Sequence, residues 1–123
     1  MTDEVPKSLE EFQQYRERMN ATIMERGSTI TKRFFNLDTK AYDQGVLDTK
    51  TKEMLGLVAS AVLRCDDCIT YHIIRCVQEG MTEDEFFEVM NVALVVGGSI
   101  VIPHFRRALE RFYECQNLAG EEV

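Results

Sequence analysis

Two capping-box patterns fix where helices begin, and they constrain the fold of this chain more than any other feature. In each pattern the side chain of a Ser or Thr accepts a hydrogen bond from the backbone of a Glu three residues later, and the side chain of that Glu accepts one from the backbone of the Ser or Thr. The two pairs are Ser8 with Glu11 and Thr82 with Glu85. After Ser8, apolar residues recur every three or four positions as far as Gly27, where a helix can end: Leu9, Phe12, Tyr15, Met19 and Ile23. These patterns predict helices in both halves of the chain.

The remaining segments carry helix signals of the same kind. Asp48 can cap a helix that ends near Leu63 and is apolar nearly all round, which is typical of a helix buried on several sides. Asp66 or Asp67 can cap the next helix, and Ser99 can cap the last. The helices predicted after the first one cover residues 29–35, a further turn or two within 37–44, then 48–63, 66–78, 83–96 and 99–118.

The fold class predicted from these segments is all-α, a compact bundle of about five or six helices. Residues 92–96 are the one run that alternates ambiguously between helix and strand patterns. A length of 123 residues favours a single domain over residues 1–123, because domains of about 100–150 residues are common. With 45% hydrophobic and 28% charged residues, the composition is that of a soluble globular protein.

Hydropathy and charge limit the location and the partners. The longest weakly charged run, residues 54–63, is shorter than the roughly 20 apolar residues that span a bilayer. Residues 1–18 lack the apolar stretch of a secretion signal, so we expect a cytoplasmic location. The net charge of −7 argues against nucleic acid as a partner. No flavin, haem or nicotinamide motif is recognisable, so we expect no cofactor.

The stretch RCDDCITYH, residues 64–72, concentrates the reactive side chains. The spacing of Cys65 and Cys68 permits a disulfide, and Cys68 falls in the first turn of a predicted helix, where the helix dipole favours a thiolate. His72 follows four residues later on the same face. If the two helices around Leu63 form an antiparallel hairpin, Glu53 lies opposite His72. The sequence therefore predicts a relay in which Glu53 orients His72 and the imidazole accepts the proton of Cys68.

Two other interpretations of this stretch remain open. The cysteines, the histidine and Glu53 offer four zinc ligands, although structural zinc sites commonly use two closely spaced pairs and this chain has one. The thiols and the imidazole can also simply fill space in the core, which explains each residue but not their joint placement. Redox chemistry accounts for more of the pattern than either alternative.

Neighbouring residues bear on the reactivity of the thiols. Asp66 and Asp67 place negative charge beside them, which raises a thiol pKa, so the helix terminus and His72 must outweigh both carboxylates. Cys76 and Cys115 are predicted to be buried free thiols, because a reducing cytosol disfavours permanent disulfides.

The pattern E-x11-C-x2-C-x3-H resembles the signature of the alkylhydroperoxidase D-like proteins, which belong to the carboxymuconolactone decarboxylase family. The resemblance covers about residues 45–98. It implies an all-helical homo-oligomer, commonly a trimer or hexamer, with thiol-dependent peroxidase or disulfide oxidoreductase activity. By position, Cys68 resembles the thiol that is oxidised to sulfenic acid and Cys65 resembles its resolving partner and proton donor. Glu53 and His72 resemble the proton relay.

Two differences separate the chain from other members of that family. The enzyme that names the peroxidase branch is longer and has a histidine between its cysteines, where this chain has Asp66 and Asp67. Lactone decarboxylases of the family lack the cysteine pair, which argues against that activity here. A lyase that uses Glu53 and His72 on a small organic acid stays an alternative, as does a zinc-binding or sensor module. The expected partners are a hydroperoxide or disulfide substrate and an external thiol reductant.

The apolar faces of the predicted helices also favour an oligomer, because one small core hides only part of such surface. Aromatic residues are candidates for subunit contacts, although core packing is their commoner role: Phe86, Phe87, Phe105, Phe112 and Tyr113. His104, just after Pro103, is expected to have a surface or structural role rather than to approach a neighbouring site.

Overall fold

The computed structural model describes the backbone of residues 8–122 and the side chains of residues 8–118. The chain divides into two compact units, one ending at Ala41 and the other beginning at Tyr42. The predicted all-α fold is confirmed, since residues 8–122 contain six α-helices and no strand. The first unit holds α1 (Leu9–Arg26) and α2 (Thr29–Ala41), and the second holds α3 (Thr49–Val62), α4 (Asp66–Gln78), α5 (Glu83–Gly97) and α6 (Ile102–Glu122).

In the first unit, α1 begins and ends as the sequence predicts. The backbone N–H of Glu11 donates to the Ser8 hydroxyl over 3.1 Å, and the backbone N–H of Ser8 donates to the Glu11 carboxylate over 2.9 Å. Gly27 caps the other end. The prediction of a short helix followed by separate turns was wrong for α2, which is one helix of 13 residues. Neither Gly nor Pro interrupts residues 29–41, so the helix continues through them.

The core of the second unit forms where α3 packs against α4 and α5, and where α4 packs against α6. Phe86 of α5 stacks on Phe112 of α6 with ring centroids 4.8 Å apart, and both side chains are fully buried. Their burial removes both from the candidates for subunit contacts, whereas Phe87 and Tyr113 stay partly exposed. Other fully buried members of this core include Leu57, Ala61, Ile69, Ile73, Cys76, Met90, Ala93 and Val101.

A three-residue connection folds α3 and α4 into the predicted helical hairpin. Arg64 adopts the left-handed conformation, with φ 63°, at a position that glycine usually occupies. Its N–H donates to the carbonyl of Ala61, and the N–H of Cys65 donates to the carbonyl of Ser60. This pair of bonds is a Schellman motif, which satisfies the last carbonyls of α3 and reverses the chain within a few residues.

The structure confirms two predicted caps and corrects two others. Asp48 caps α3 and the Thr82–Glu85 box caps α5, each through a side-chain acceptor. Cys65, not Asp66 or Asp67, caps α4, because the sulfur takes the cap position immediately before them. Ser99 does not cap α6; it begins a single 3₁₀ turn that precedes the helix.

The last helix continues beyond the predicted end near residue 118, since α6 runs to Glu122. Within the described residues, no helix combines the length and the apolar character that crossing a membrane requires.

Candidate redox site

Cys65 and Cys68 form a disulfide at the start of α4, with their Cα atoms 5.3 Å apart. The backbone N–H of Cys68 donates to the sulfur of Cys65 over 3.2 Å, so Cys65 is both the N-cap of α4 and one half of the disulfide. Cys68 is exposed and Cys65 is half-buried. Cys68 therefore presents more of its surface to an incoming reagent than Cys65 does.

The backbone around Cys65 is fixed from both helices. Its N–H completes the Schellman motif of α3, and its side chain caps α4. The cysteine pair thus sits at a junction of two helix ends. At the start of α4, unpaired N–H groups and the positive end of the helix dipole favour negative charge on a reduced sulfur.

Glu53 and His72 meet across the hairpin, as the sequence predicts. The Nδ1 atom of His72 lies 2.8 Å from Oε1 of Glu53, and both residues are buried. An ionised carboxylate has no proton to donate, so the hydrogen of this bond belongs to Nδ1. Nε2 of a neutral His72 then carries the lone pair that can accept a proton.

The hydrogen bond found for His72 in residues 8–118 goes to Glu53 and not to Cys68. Neither sulfur of a disulfide carries a proton, so the oxidised state has nothing for the imidazole to accept there. The predicted transfer from Cys68 to His72 stays a prediction about the reduced state.

Gly56 provides the space for the His72 ring. A Cβ atom at Gly56 would lie 2.6 Å from Cε1 and 2.8 Å from Nε2 of His72, well inside normal contact distance. The imidazole therefore rests against the bare backbone of α3. This role of Gly56 was not predicted from the sequence, although the spacing from Glu53 places Gly56 one turn along the same helix face.

Arg75 approaches the second oxygen of Glu53. Its Nε atom lies 3.4 Å from Oε2, while its guanidinium also binds Glu79 over 3.2 Å. A buried carboxylate needs such a partner, because an isolated charge away from water is strongly destabilising. The role of Arg75 was not predicted from the sequence, although Arg75 lies one turn beyond His72 on α4 and the spacing indicates a shared face.

Two tyrosines contact the imidazole ring. The ring centroids of Tyr42 and Tyr71 lie 5.3 Å and 5.2 Å from that of His72. Such contacts limit the rotation of the imidazole and shield it from water. No sequence pattern pointed to Tyr42, which lies far from His72 along the chain.

Asp66, between the two cysteines, is bound by two side chains of α6. Its Oδ1 lies 2.7 Å from Nδ1 of His104, and its Oδ2 lies 2.9 Å from Nε of Arg107. His104 therefore has a structural partner, in line with its expected role. The guanidinium of Arg107 therefore compensates the negative charge of Asp66, which we expect to oppose thiolate formation.

The two remaining cysteines are free and buried, as predicted. Burial raises the pKa of Cys76 to about 12 and the pKa of Cys115 to about 11. Neither thiol ionises appreciably near neutral pH, so Cys76 and Cys115 are poor candidates for thiolate chemistry.

The four proposed zinc ligands do not form a metal cage in this state. Among the described side chains, no group of three or more His, Cys, Asp or Glu residues is arranged to hold a metal ion. The disulfide occupies both sulfurs, and zinc binds thiolates.

A profile of the carboxymuconolactone decarboxylase family matches residues 29–111. The chain belongs to this family. The match is wider than the 45–98 core expected from the sequence, and it includes the disulfide, the Glu53–His72 pair and the side chains around Asp66.

Three proteins show how the chain compares with known sequences and structures. One is a carboxymuconolactone decarboxylase family protein from Thermotoga maritima, a candidate for involvement in the antioxidative response. Its crystal structure superposes with a TM-score of 0.87 at 54% sequence identity, and the match covers 91% of this chain and 95% of the Thermotoga maritima chain. A family protein from Legionella pneumophila superposes with a TM-score of 0.80 at 25% identity, over 87% of this chain and 96% of its own. An uncharacterised cox-locus protein of Paracoccus denitrificans is 28% identical over 83 residues, which are 68% of this chain and 75% of that protein.

Proposed function

We propose that this protein is a thiol-dependent oxidoreductase that reduces hydroperoxides or disulfides by cycling Cys65 and Cys68 between disulfide and dithiol. The observation that carries the proposal is the disulfide at the start of α4, in the same hairpin as the buried Glu53–His72 pair. The antioxidative role considered for the Thermotoga maritima relative supports the same class of reaction.

In the peroxide reaction, the exposed Cys68 acts first. The imidazole Nε2 of His72 accepts the thiol proton, and the resulting thiolate attacks one oxygen of the hydroperoxide. The O–O bond breaks, Cys68 becomes a sulfenic acid, and the leaving alkoxide takes up a proton to form an alcohol. Glu53 holds the Nδ1–H of His72 throughout, which keeps Nε2 free to move the proton.

Cys65 then resolves the sulfenic acid. Its thiol gives up its proton and the thiolate attacks the sulfur of Cys68; the S–O bond breaks, the departing hydroxide takes up that proton to leave as water, and the disulfide forms. The two electrons gained by the peroxide thus come from the two thiols. The short distance between the Cα atoms, 5.3 Å, lets this step proceed with little movement of the backbone.

An external thiol donor completes the cycle. A donor thiolate attacks the exposed sulfur of Cys68 and releases Cys65 as a thiolate, and a second donor thiol then frees Cys68 and leaves as the donor disulfide. The exposure of Cys68 and the partial burial of Cys65 favour this order of attack. A small thiol or a partner protein can serve as the donor, because the disulfide lies at the surface.

We also propose that the protein assembles with further copies of itself, as a trimer or hexamer. Helices α3 and α5 form an apolar groove of about 530 Å³. Four residues along it expose half or more of their surface, namely Leu55, Leu63, Val92 and Val96. Static light scattering is expected to give a multiple of the 14.2 kDa chain mass, and Val92→Glu is expected to lower it. A monomeric wild-type protein would contradict the assembly.

The redox proposal is tested by counting thiols. One equivalent of an organic hydroperoxide added to fully reduced protein is expected to consume two thiols, and Cys68→Ser is expected to abolish the formation of the disulfide. Cys115→Ala provides the matched control, because its buried thiol takes no part and the loss of two thiols should persist. A loss of two thiols that persists in Cys68→Ser would place the oxidation on other cysteines. A wild type that loses no thiols would contradict the redox proposal and favour a lyase that needs only Glu53 and His72.

A further inference from the structure

Asp66 lies between the two cysteines of the redox site, and both of its oxygens are held from another helix. His104 binds Oδ1 over 2.7 Å and Arg107 binds Oδ2 over 2.9 Å. His104 and Arg107 lie one turn apart on α6, so they face α4 side by side. A single acidic side chain beside the disulfide thus receives two basic partners.

Stability alone gives little reason for this arrangement. Asp66 is in the first turn of α4, where the helix dipole already favours a carboxylate. About half of the Asp66 and Arg107 side chains is exposed, and exposed ion pairs contribute little to folding. Asp67, the next residue and also acidic, is exposed and has no hydrogen bond or ion pair among residues 8–118.

The charge of Asp66 matters most when the disulfide is reduced. The disulfide is neutral, whereas the reduced pair carries negative charge whenever either sulfur is a thiolate. A nearby carboxylate disfavours that charge, and a cation bound to the carboxylate removes most of the penalty. Because the groups are partly in water, we expect an effect of about threefold rather than orders of magnitude.

We propose that His104 and Arg107 are positioning residues that hold Asp66, that the guanidinium of Arg107 neutralises its carboxylate, and that the Cys65–Cys68 disulfide is thereby reduced more readily. This inference rests on the proposed redox function of the cysteine pair. Residues of α6 would then influence the reduction potential of the disulfide at the start of α4.

The test is the equilibrium of the disulfide with glutathione. Two glutathione thiols reduce the protein disulfide to two thiols and leave as one glutathione disulfide, so two electrons and two protons are transferred. Acid quenching, alkylation and mass spectrometry give the fraction reduced and hence the equilibrium constant. Arg107→Gln is expected to lower that constant about threefold, whereas Arg107→Lys, which keeps the charge, should lower it less.

Three further variants isolate the role of Asp66. Arg106→Gln removes the adjacent exposed arginine and is expected to leave the constant unchanged. Asp66→Asn is expected to raise the constant more than Asp67→Asn does. In the Asp66→Asn background, Arg107→Gln should have no more than half of its effect in the wild type, because the carboxylate that holds the guanidinium beside the cysteine pair is gone.

The outcomes separate this proposal from the redox function itself. A wild-type disulfide that even dithiothreitol cannot open would contradict both. Suppose that the wild type equilibrates with glutathione but Arg107→Gln changes the equilibrium constant no more than Arg106→Gln does. The role of His104 and Arg107 is then overturned, while the redox function stands. The same conclusion follows if Arg107→Gln has its full effect in the Asp66→Asn background. Arg107 is half-exposed, so these variants should fold, and circular dichroism checks that they do.

Discussion

The imidazole of His72 is held between a buried carboxylate on one side and a glycine on the other. Its Nδ1 lies 2.8 Å from Oε1 of Glu53, and its ring lies where a side chain at Gly56 would have to be. These two contacts fix both the tautomer and the position of the ring. The reactivity proposed for the cysteine pair depends on this arrangement.

Glu53→Gln is expected to weaken the preference for hydrogen on Nδ1. The amide keeps the shape of the carboxylate but can donate as well as accept, so both tautomers of His72 become possible. Nitrogen chemical shifts of His72 should show an Nδ1–H, Nε2-unprotonated ring in the neutral wild type and a mixture in the variant. Glu88→Gln, at an exposed site on α5, is the control and should leave the spectrum unchanged. A wild-type ring with its hydrogen on Nε2 would contradict the assignment.

Gly56→Ala is expected to destabilise the protein by roughly 1–3 kcal/mol, because the new methyl group overlaps the His72 ring. The same change in open space would instead stabilise a helix by up to about 1 kcal/mol. In a His72→Ala background the overlap is relieved, so Gly56→Ala should become neutral or stabilising. Urea unfolding of the four proteins measures the coupling, and equal effects of Gly56→Ala in both backgrounds would show that the ring does not occupy this space.

Arg64→Gly is expected to be more stable than Arg64→Ala by about 0.5–1 kcal/mol. The left-handed backbone of this residue, φ 63°, strains any side chain with a Cβ atom, whereas glycine adopts it freely. Part of the gain is offset by the greater freedom of glycine in the unfolded chain. Comparing these two variants, which both lack the charge, isolates the backbone effect in equilibrium unfolding. An alanine variant that is the more stable of the two would refute the strain.

The buried thiols are expected to make the reduced protein less stable at alkaline pH. Burial raises the pKa of Cys76 to about 12 and that of Cys115 to about 11, above the value of about 8.5 for an unfolded chain. Their contribution to stability is therefore complete below about pH 8.5 and is lost as the pH rises toward the folded values. Near pH 10 the loss should reach about 2 kcal/mol for each thiol.

Urea unfolding of the reduced protein near pH 7 and near pH 10 measures this loss, and Cys76→Ala should lose about 2 kcal/mol less between the two conditions. Identical losses in the wild type and in the variant would show that Cys76 is not kept protonated by burial.

Much of the fold is encoded in local patterns that the sequence displays directly. The capping boxes of α1 and α5 lie where Ser8 and Thr82 predict them, because each box involves residues only three apart. The contact between Glu53 and His72 was also predictable, since a short connection forces two helices into a hairpin and equal distances from the turn then face each other.

Contacts between distant segments were not predictable in this way. His104 and Arg107 reach Asp66 only because α6 packs on α4, and no spacing in the sequence indicates that packing. The cap of α4 was misplaced for a different reason. Asp is a much commoner helix cap than Cys. Here, however, the Schellman motif at the end of α3 fixes the backbone so that Cys65, and not Asp66 or Asp67, occupies the N-cap position of α4.

The pH dependence of the alkylation rate of Cys68 tests the central claim most directly. Reduced protein reacts with iodoacetamide through the thiolate. Cys65 and Cys68 lie in one peptide between Arg64 and Arg75, so fragmentation of that peptide in the mass spectrometer separates their rates. We expect the wild-type rate to reach half of its plateau clearly below pH 8.5, the approximate pKa of a free thiol, and His72→Gln to slow the reaction near pH 7 about tenfold. A wild-type midpoint at or above that value, or a His72→Gln profile that superposes on the wild type, would contradict the claim that His72 activates this sulfur.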